Sequence, residues 1–155
     1  MVAIYLTIFT TNAISQCNCQ VLTKNDIGAK QCPTKQIAGD NSMQVGIAVG
    51  KITNSDNQYL SLSIRFRYSA QKVLGNLYLS LANGRLIELE FLNSGLAYMG
   101  NSEICQSTFI LDDANKALLK MSPIKTIAFY LEDKLRHLLI LTSNRNLVQL
   151  QIDCL

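Results

Sequence analysis

The clearest pattern in the chain is the run from Tyr59 to Tyr68. Leu60, Leu62, Ile64, Phe66 and Tyr68 alternate with Tyr59, Ser61, Ser63, Arg65 and Arg67. A period of two over ten residues predicts a strand with one face on a core and the other in water. Just upstream, Met43, Val45, Ile47 and Val49 alternate with Gln44, Gly46, Ala48 and Gly50. That strand has a face of large side chains and a nearly bare face, where another backbone, a bulge or a ligand comes close. Asn54-Ser55-Asp56-Asn57 reads as the turn between the two.

Asn76 to Ala82 and Arg85 to Leu92 flank Asn83-Gly84, a strong hairpin signal. A two-residue turn would set Leu79 beside Glu88 and Leu77 beside Glu90. A three-residue loop, Ala82-Asn83-Gly84 with Gly84 left-handed, pairs Leu79 with Ile87 and Leu77 with Leu89. Because one residue of slip moves every side chain to the other face, the second register is the one that builds a core. Leu62, Ile64, Phe66, Leu77, Leu79, Ile87 and Leu89 are then expected to share it. Gly95 to Ser102 reads as irregular and Ile104 to Leu111 as a strand. Asp112 to Lys120 reads as a helix of two to three turns, capped by Asp112 or Asp113 and stopped by Ser122-Pro123. Ile124–Leu131 and Leu135–Thr142 form a second hairpin around Glu132-Asp133-Lys134. In the tail, Val148, Leu150, Ile152 and Cys154 alternate like a strand, while Asn144 or Asn146 would equally cap a last short helix. Residues 20–42, rich in Lys, Asn, Gln, Gly and Asp, read as loop. The fold class is mainly β with one or two short helices (α+β), its antiparallel sheets forming a sandwich or a partly open barrel.

Val2–Phe9 is apolar, and Ala13 and Ser15 place small residues where a leader peptidase cleaves. Residues 1–15 therefore read as a signal peptide, although no Lys or Arg precedes the apolar stretch, and residues 16–155 as a single β-rich domain. A lipid-anchored Cys17 is disfavoured by the Gln16 before it, and a buried N-terminal strand is the rival to export. In a secreted or periplasmic protein, disulfides are the expected use of Cys17, Cys19, Cys32, Cys105 and Cys154. Cys17 and Cys19 are too close to bridge each other. One of them is expected to pair with Cys32, and Cys105 with Cys154, a loop of about 50 residues worth roughly 4 kcal/mol. A metal site at Cys17, Cys19 and Cys32 lacks a nearby histidine, so no metal and no cofactor is expected.

Composition narrows the function classes. The chain is 48% hydrophobic and 16% charged, with a net charge of +3 and no tryptophan. It is too apolar for disorder, carries no apolar run long enough for a stable membrane span, and is too weakly basic to argue for nucleic acid. Glu88 and Glu90 lie about 7 Å apart on one strand face. Paired carboxylates serve glycosidases, but a solvated face opposite Arg65 and Arg67 is the simpler reading. His137 stands alone among aliphatic neighbours, and no nucleophile, metalloprotease or nucleotide motif occurs.

From Cys105 onward the order is a strand, a Leu-Asp-Asp helix, Lys-Met-Ser-Pro-Ile-Lys-Thr-Ile, a hairpin and a closing Asp-Cys-Leu. Over residues 76–155 this resembles a group of short exported proteins of unknown function common in Bacteroidota. The resemblance implies a compact secreted β-rich domain and assigns no residue a role. The expected function is a non-enzymatic exported module with a binding or structural role at the cell envelope. Tyr59, Arg65 and Arg67 are its binding residues, and a protein or glycan its partner. A ligand carrier with an apolar barrel cavity walled by Leu62, Ile64 and Phe66, and a small secreted hydrolase using Glu88 and Glu90, are the alternatives.

Overall fold

A computed structural model describes residues 17–24 and 26–155; the leader expected over 1–15 lies outside the described residues. Among the described residues, eleven strands form two antiparallel sheets. The chain runs β1 (Gln20–Lys24), β2 (Ile27–Gln31), β3 (Lys35–Gly39), β4 (Met43–Ile52), β5 (Gln58–Phe66), β6 (Val73–Leu81), β7 (Leu86–Leu89), β8 (Phe91–Met99), β9 (Ser102–Leu111), α1 (Asp113–Met121), β10 (Ile124–Leu131), β11 (Leu135–Leu139) and α2 (Leu147–Asp153). The large sheet has the order β1-β2-β4-β5-β9-β8, with β3 also on β4, and curls into a half-barrel. The small sheet has the order β11-β10-β6-β7.

The inner faces meet where the alternation puts large aliphatics. Val45, Ile47, Leu60, Leu62, Ile64 and Phe109 of the large sheet join Leu77, Leu79, Leu89, Ile127 and Phe129 of the small one in a single core. Six of the seven residues expected there are buried, and Phe66 packs against the cluster half-buried. Tyr68, assigned by alternation to the same face, lies beyond the end of β5 and is 77% exposed. The Asn83-Gly84 hairpin takes the three-residue register, with Leu79 opposite Ile87 and Leu77 opposite Leu89. Gly84 sits at φ +86°, a conformation that costs glycine little and other residues much.

The helix reading also holds. The Asp112 side chain accepts a hydrogen bond from the Asn115 backbone N–H at 2.7 Å, Asp113 and Lys120 match the dipole, and Ser122 ends the helix before Pro123. Lys116 beside Asp113 holds that carboxyl below its ordinary range, chiefly by a side-chain hydrogen bond. Asp112→Ala is expected to cost about 1 kcal/mol in urea unfolding. Of the two forms the tail admitted, the structure has the helix, α2.

Three expectations need correction. Residues 20–42 are not loop: β1 and β2 form a hairpin, and β2 and β3 pair in succession along the free edge of β4. Backbone pairing holds β2, which a polar sequence satisfies, and β3 adds Ile37 and Ala38 to the core. The expected strand 85–92 breaks at Glu90, where the chain leaves the small sheet for the large one. Asn76 holds that crossing, accepting from the Phe91 N–H at 2.9 Å and donating to Glu88 at 2.7 Å. Gly95–Ser102 is not irregular, because β8 runs on to Met99 and pairs with β9.

Candidate functional site

The ends of the chain are gathered at one corner. Pro33 offers no N–H, and the β2–β3 edge of β4 breaks around it. Gln151 of α2, 5% exposed, fills the gap. Its Oε1 accepts from the Val49 N–H and its Nε2 donates to the Pro33 carbonyl, both at 2.8 Å. Buried backbone groups left bare there would cost about 1–3 kcal/mol each. Two disulfides close the same corner, Cys19–Cys32 and Cys17–Cys154. The expectation that Cys17 or Cys19 pairs with Cys32 therefore holds.

The expected Cys105–Cys154 bridge does not form. Cys154, just past α2, pairs with Cys17, and Cys105 is an unpaired, fully buried residue on the inner face of β9. It lies within 3.2 Å of the Ser94 hydroxyl, which is itself 2.9 Å from the Ser107 hydroxyl. Cys154 is committed to Cys17, and the side-chain partners of Cys105 are the Ser94 and Ser107 hydroxyls. The Cys17 thiol that a lipid anchor or a metal would use is taken by the same bond.

The three proposed binding residues do not form one cluster. Tyr59 and Arg65 share the outer face of β5 but stand six residues apart, about 20 Å along the strand. The Tyr59 ring lies across Gly50, where a Cβ would be 2.2 Å from the ring, and its hydroxyl donates to Gln31 Oε1 at 3.0 Å. Burial raises the pKa of its phenol. The bare face of β4 is thus filled by protein, with Thr34 against Gly46 in the same way. Arg65 and Arg67 come together at the other end of the strand. Both are exposed; Arg65 reaches Met99 of β8, and the Arg67 guanidinium lies 5.8 Å from the centre of the Tyr68 ring. They line an open hollow with Asp40, Asn41, Gln44 and Phe66. Asp40 is braced by the Ser42 side chain, which lowers its pKa. Of the three residues, Arg65 and Arg67 stand at this end, with the exposed Tyr68 ring beside Arg67.

Glu88 and Glu90 line a cleft of about 670 Å³ with Asn76, Asp112 and Asn115. Asp112 is committed to the helix cap, and Glu88 to Asn76. Both glutamates are exposed, whereas the acid of a catalytic carboxylate pair is set apart by burial. The charge of Glu88 raises the pKa of Tyr78, its neighbour across the strands. His137 is exposed on β11 opposite Ala128. Leu62 and Ile64, the walls of the supposed carrier cavity, are fully buried in packed core. Among the described residues no group of His, Cys, Asp and Glu is placed to hold a metal ion, and no helix is long and apolar enough to cross a membrane. Comparison with protein-family models, curated protein sequences and solved structures finds no match to the chain.

Proposed function

We propose that the chain is an exported, non-catalytic binding module of the cell envelope, secreted or periplasmic, matured by cleavage after Ser15 and of the kind its resemblance to short Bacteroidota proteins implies. The observation that carries this reading is the pair of disulfides at one corner, Cys17–Cys154 and Cys19–Cys32. Such bonds persist in oxidising compartments and are kept reduced in most cytosols. The apolar start ending in Ala13-Ile14-Ser15 agrees with it. The partner, a protein or a glycan, docks on the Arg65–Arg67 end, where the two guanidinium groups and the Tyr68 ring are displayed together.

Mass spectrometry of the native protein tests the export part. The expected species begins at Gln16 and gains four hydrogens on reduction. A chain with intact Met1 and all thiols reduced, found in the cytosol, overturns it. Capture from the native envelope fraction tests the binding part, since Arg65→Glu with Arg67→Glu should abolish it while leaving the unfolding curve in place. Capture undiminished by that double variant removes these residues from the site.

A further inference from the structure

The outer faces of the two sheets differ in character. Across its central strands the large sheet turns Gln44, Ser61, Ser63, Arg65, Gln106 and Thr108 outward, with Ile110 and Met99 as exposed apolar residues toward its ends. The small sheet turns outward Leu74 (49% exposed), Tyr78 (38%), Leu86 (78%), Tyr130 (47%), Leu135 (47%) and Leu139 (70%). Hydrogen-bond register sets them in rows across the strands. One row runs Leu139, Thr126, Ser80, Leu86; the next runs His137, Ala128, Tyr78, Glu88; the third runs Leu135, Tyr130, Leu74. Large apolar side chains thus surround a central Ser80–Thr126 pair, with His137 and Glu88 at the two edges, and this much exposed apolar surface on one sheet face marks an interaction surface.

We infer that this face is covered by a second copy of the same chain, packed sheet on sheet about a two-fold axis that runs parallel to the strands between β10 and β6. That axis lays β11 over the partner's β7 and β10 over the partner's β6, at equal height along the strands. His137 then faces the partner's Glu88, at both edges of the interface. Ala128 faces the partner's Tyr78, small against large. Leu139 faces the partner's Leu86, and Tyr130 faces the partner's Leu74. The Ser80 and Thr126 hydroxyls, already hydrogen-bonded to each other, face the partner's same pair. A two-fold axis in the interface plane but perpendicular to the strands would instead set His137 against the partner's His137 and Glu88 against the partner's Glu88. Opposing the two Glu88 carboxylates would be unfavourable, whereas a histidine ring facing a carboxylate can hydrogen-bond to it, and this selects the parallel axis.

The area is sufficient. At the exposures above, the five large side chains that face a counterpart offer roughly 600 Å² per copy, so two copies bury on the order of 1,200 Å², at the lower end of the range of stable interfaces. Aligned packing of twisted sheets also tolerates the crossing of about 30° that such a face requires. The inference needs only the folded domain and is independent of export and of the Arg65–Arg67 site.

Sedimentation equilibrium on the oxidised domain tests it. A dimer is expected at micromolar concentration. Leu86→Glu and Leu139→Glu, both at strand positions already open to solvent, should each raise the dissociation constant at least a hundredfold with the unfolding curve little changed. Glu88→Lys alone and His137→Glu alone should each weaken the dimer at least tenfold, and the two together should restore it. A folded wild-type monomer at about 100 μM overturns the inference, as does a dimer indifferent to Leu86→Glu and Leu139→Glu. A dimer broken by these two but not restored by the double charge exchange overturns the axis.

Discussion

Removing the Cys17–Cys154 bond is expected to cost more stability than any other pair of substitutions that leaves the core intact. The two cysteines are 137 residues apart, against 13 for Cys19 and Cys32. On the chain-entropy model a loop of that length is worth about 5 kcal/mol, and the shorter loop about 3 kcal/mol. Folded domains keep only about 5–15 kcal/mol in total, so the first loss brings the domain near its unfolding threshold. Geometry adds to the effect. Cys154 follows α2 directly, and α2 delivers Gln151 to the gap beside Pro33. Untying Cys154 loosens the helix that satisfies the Val49 N–H. Urea unfolding of Cys17→Ser with Cys154→Ser should show the larger drop, Cys19→Ser with Cys32→Ser the smaller. Both should vanish as differences when wild type is measured in reductant. A drop below about 1 kcal/mol for the long loop would mean that the unfolded chain is already held compact by other contacts.

The sequence was most informative wherever one local rule coincided with the tertiary one. Asp112 caps α1 because a short carboxylate before Asn115 has nowhere better to bond. The Asn83-Gly84 register could be chosen because only one alternative put leucine opposite isoleucine. The strand around Ile64 showed its face because its outward residues are serine and arginine.

Where those rules parted, the reading failed for identifiable reasons. β2 and β3 pair along the main chain of β4, and the one large buried side chain they bring, Ile37, is too little to mark a period of two. The break at Glu90 depends on Asn76, fourteen residues earlier, which no window of local pattern contains. Cysteine spacing limits pairing only through the fold, so Cys105 was assigned a partner that its place on the inner face of β9 denies it. The outer face of the small sheet stayed invisible for a different reason. In Ile124–Leu131 and Leu135–Leu139 both faces carry large apolar residues, and alternation cannot name a wet side when neither side is polar. Of the candidate site, Arg65 and Arg67 were legible as outward residues. Their separation from Tyr59 and the company of Arg67 with Tyr68 depend on where β5 ends.

Ile64→Ala against Arg65→Ala is the sharpest single comparison of the two faces. Ile64 is fully buried, flanked across the strands by Val45 and Cys105, inside the cluster that also holds Phe109 and Phe129. Truncation removes three carbons from a site walled by regular strands, which cannot collapse onto the void without breaking their ladders. The expected loss is about 2–5 kcal/mol. Arg65, one residue on, is exposed; its side-chain partner is the Met99 sulfur at 3.7 Å, a weak acceptor. Its removal should change stability by no more than about 0.5 kcal/mol. Urea midpoints measured side by side decide between them. A large loss from Arg65→Ala, or a negligible one from Ile64→Ala, would mean that the β5 faces are exchanged. The guanidinium groups would then be structural, and the site at that end of the sheet would have no residues left to meet a partner.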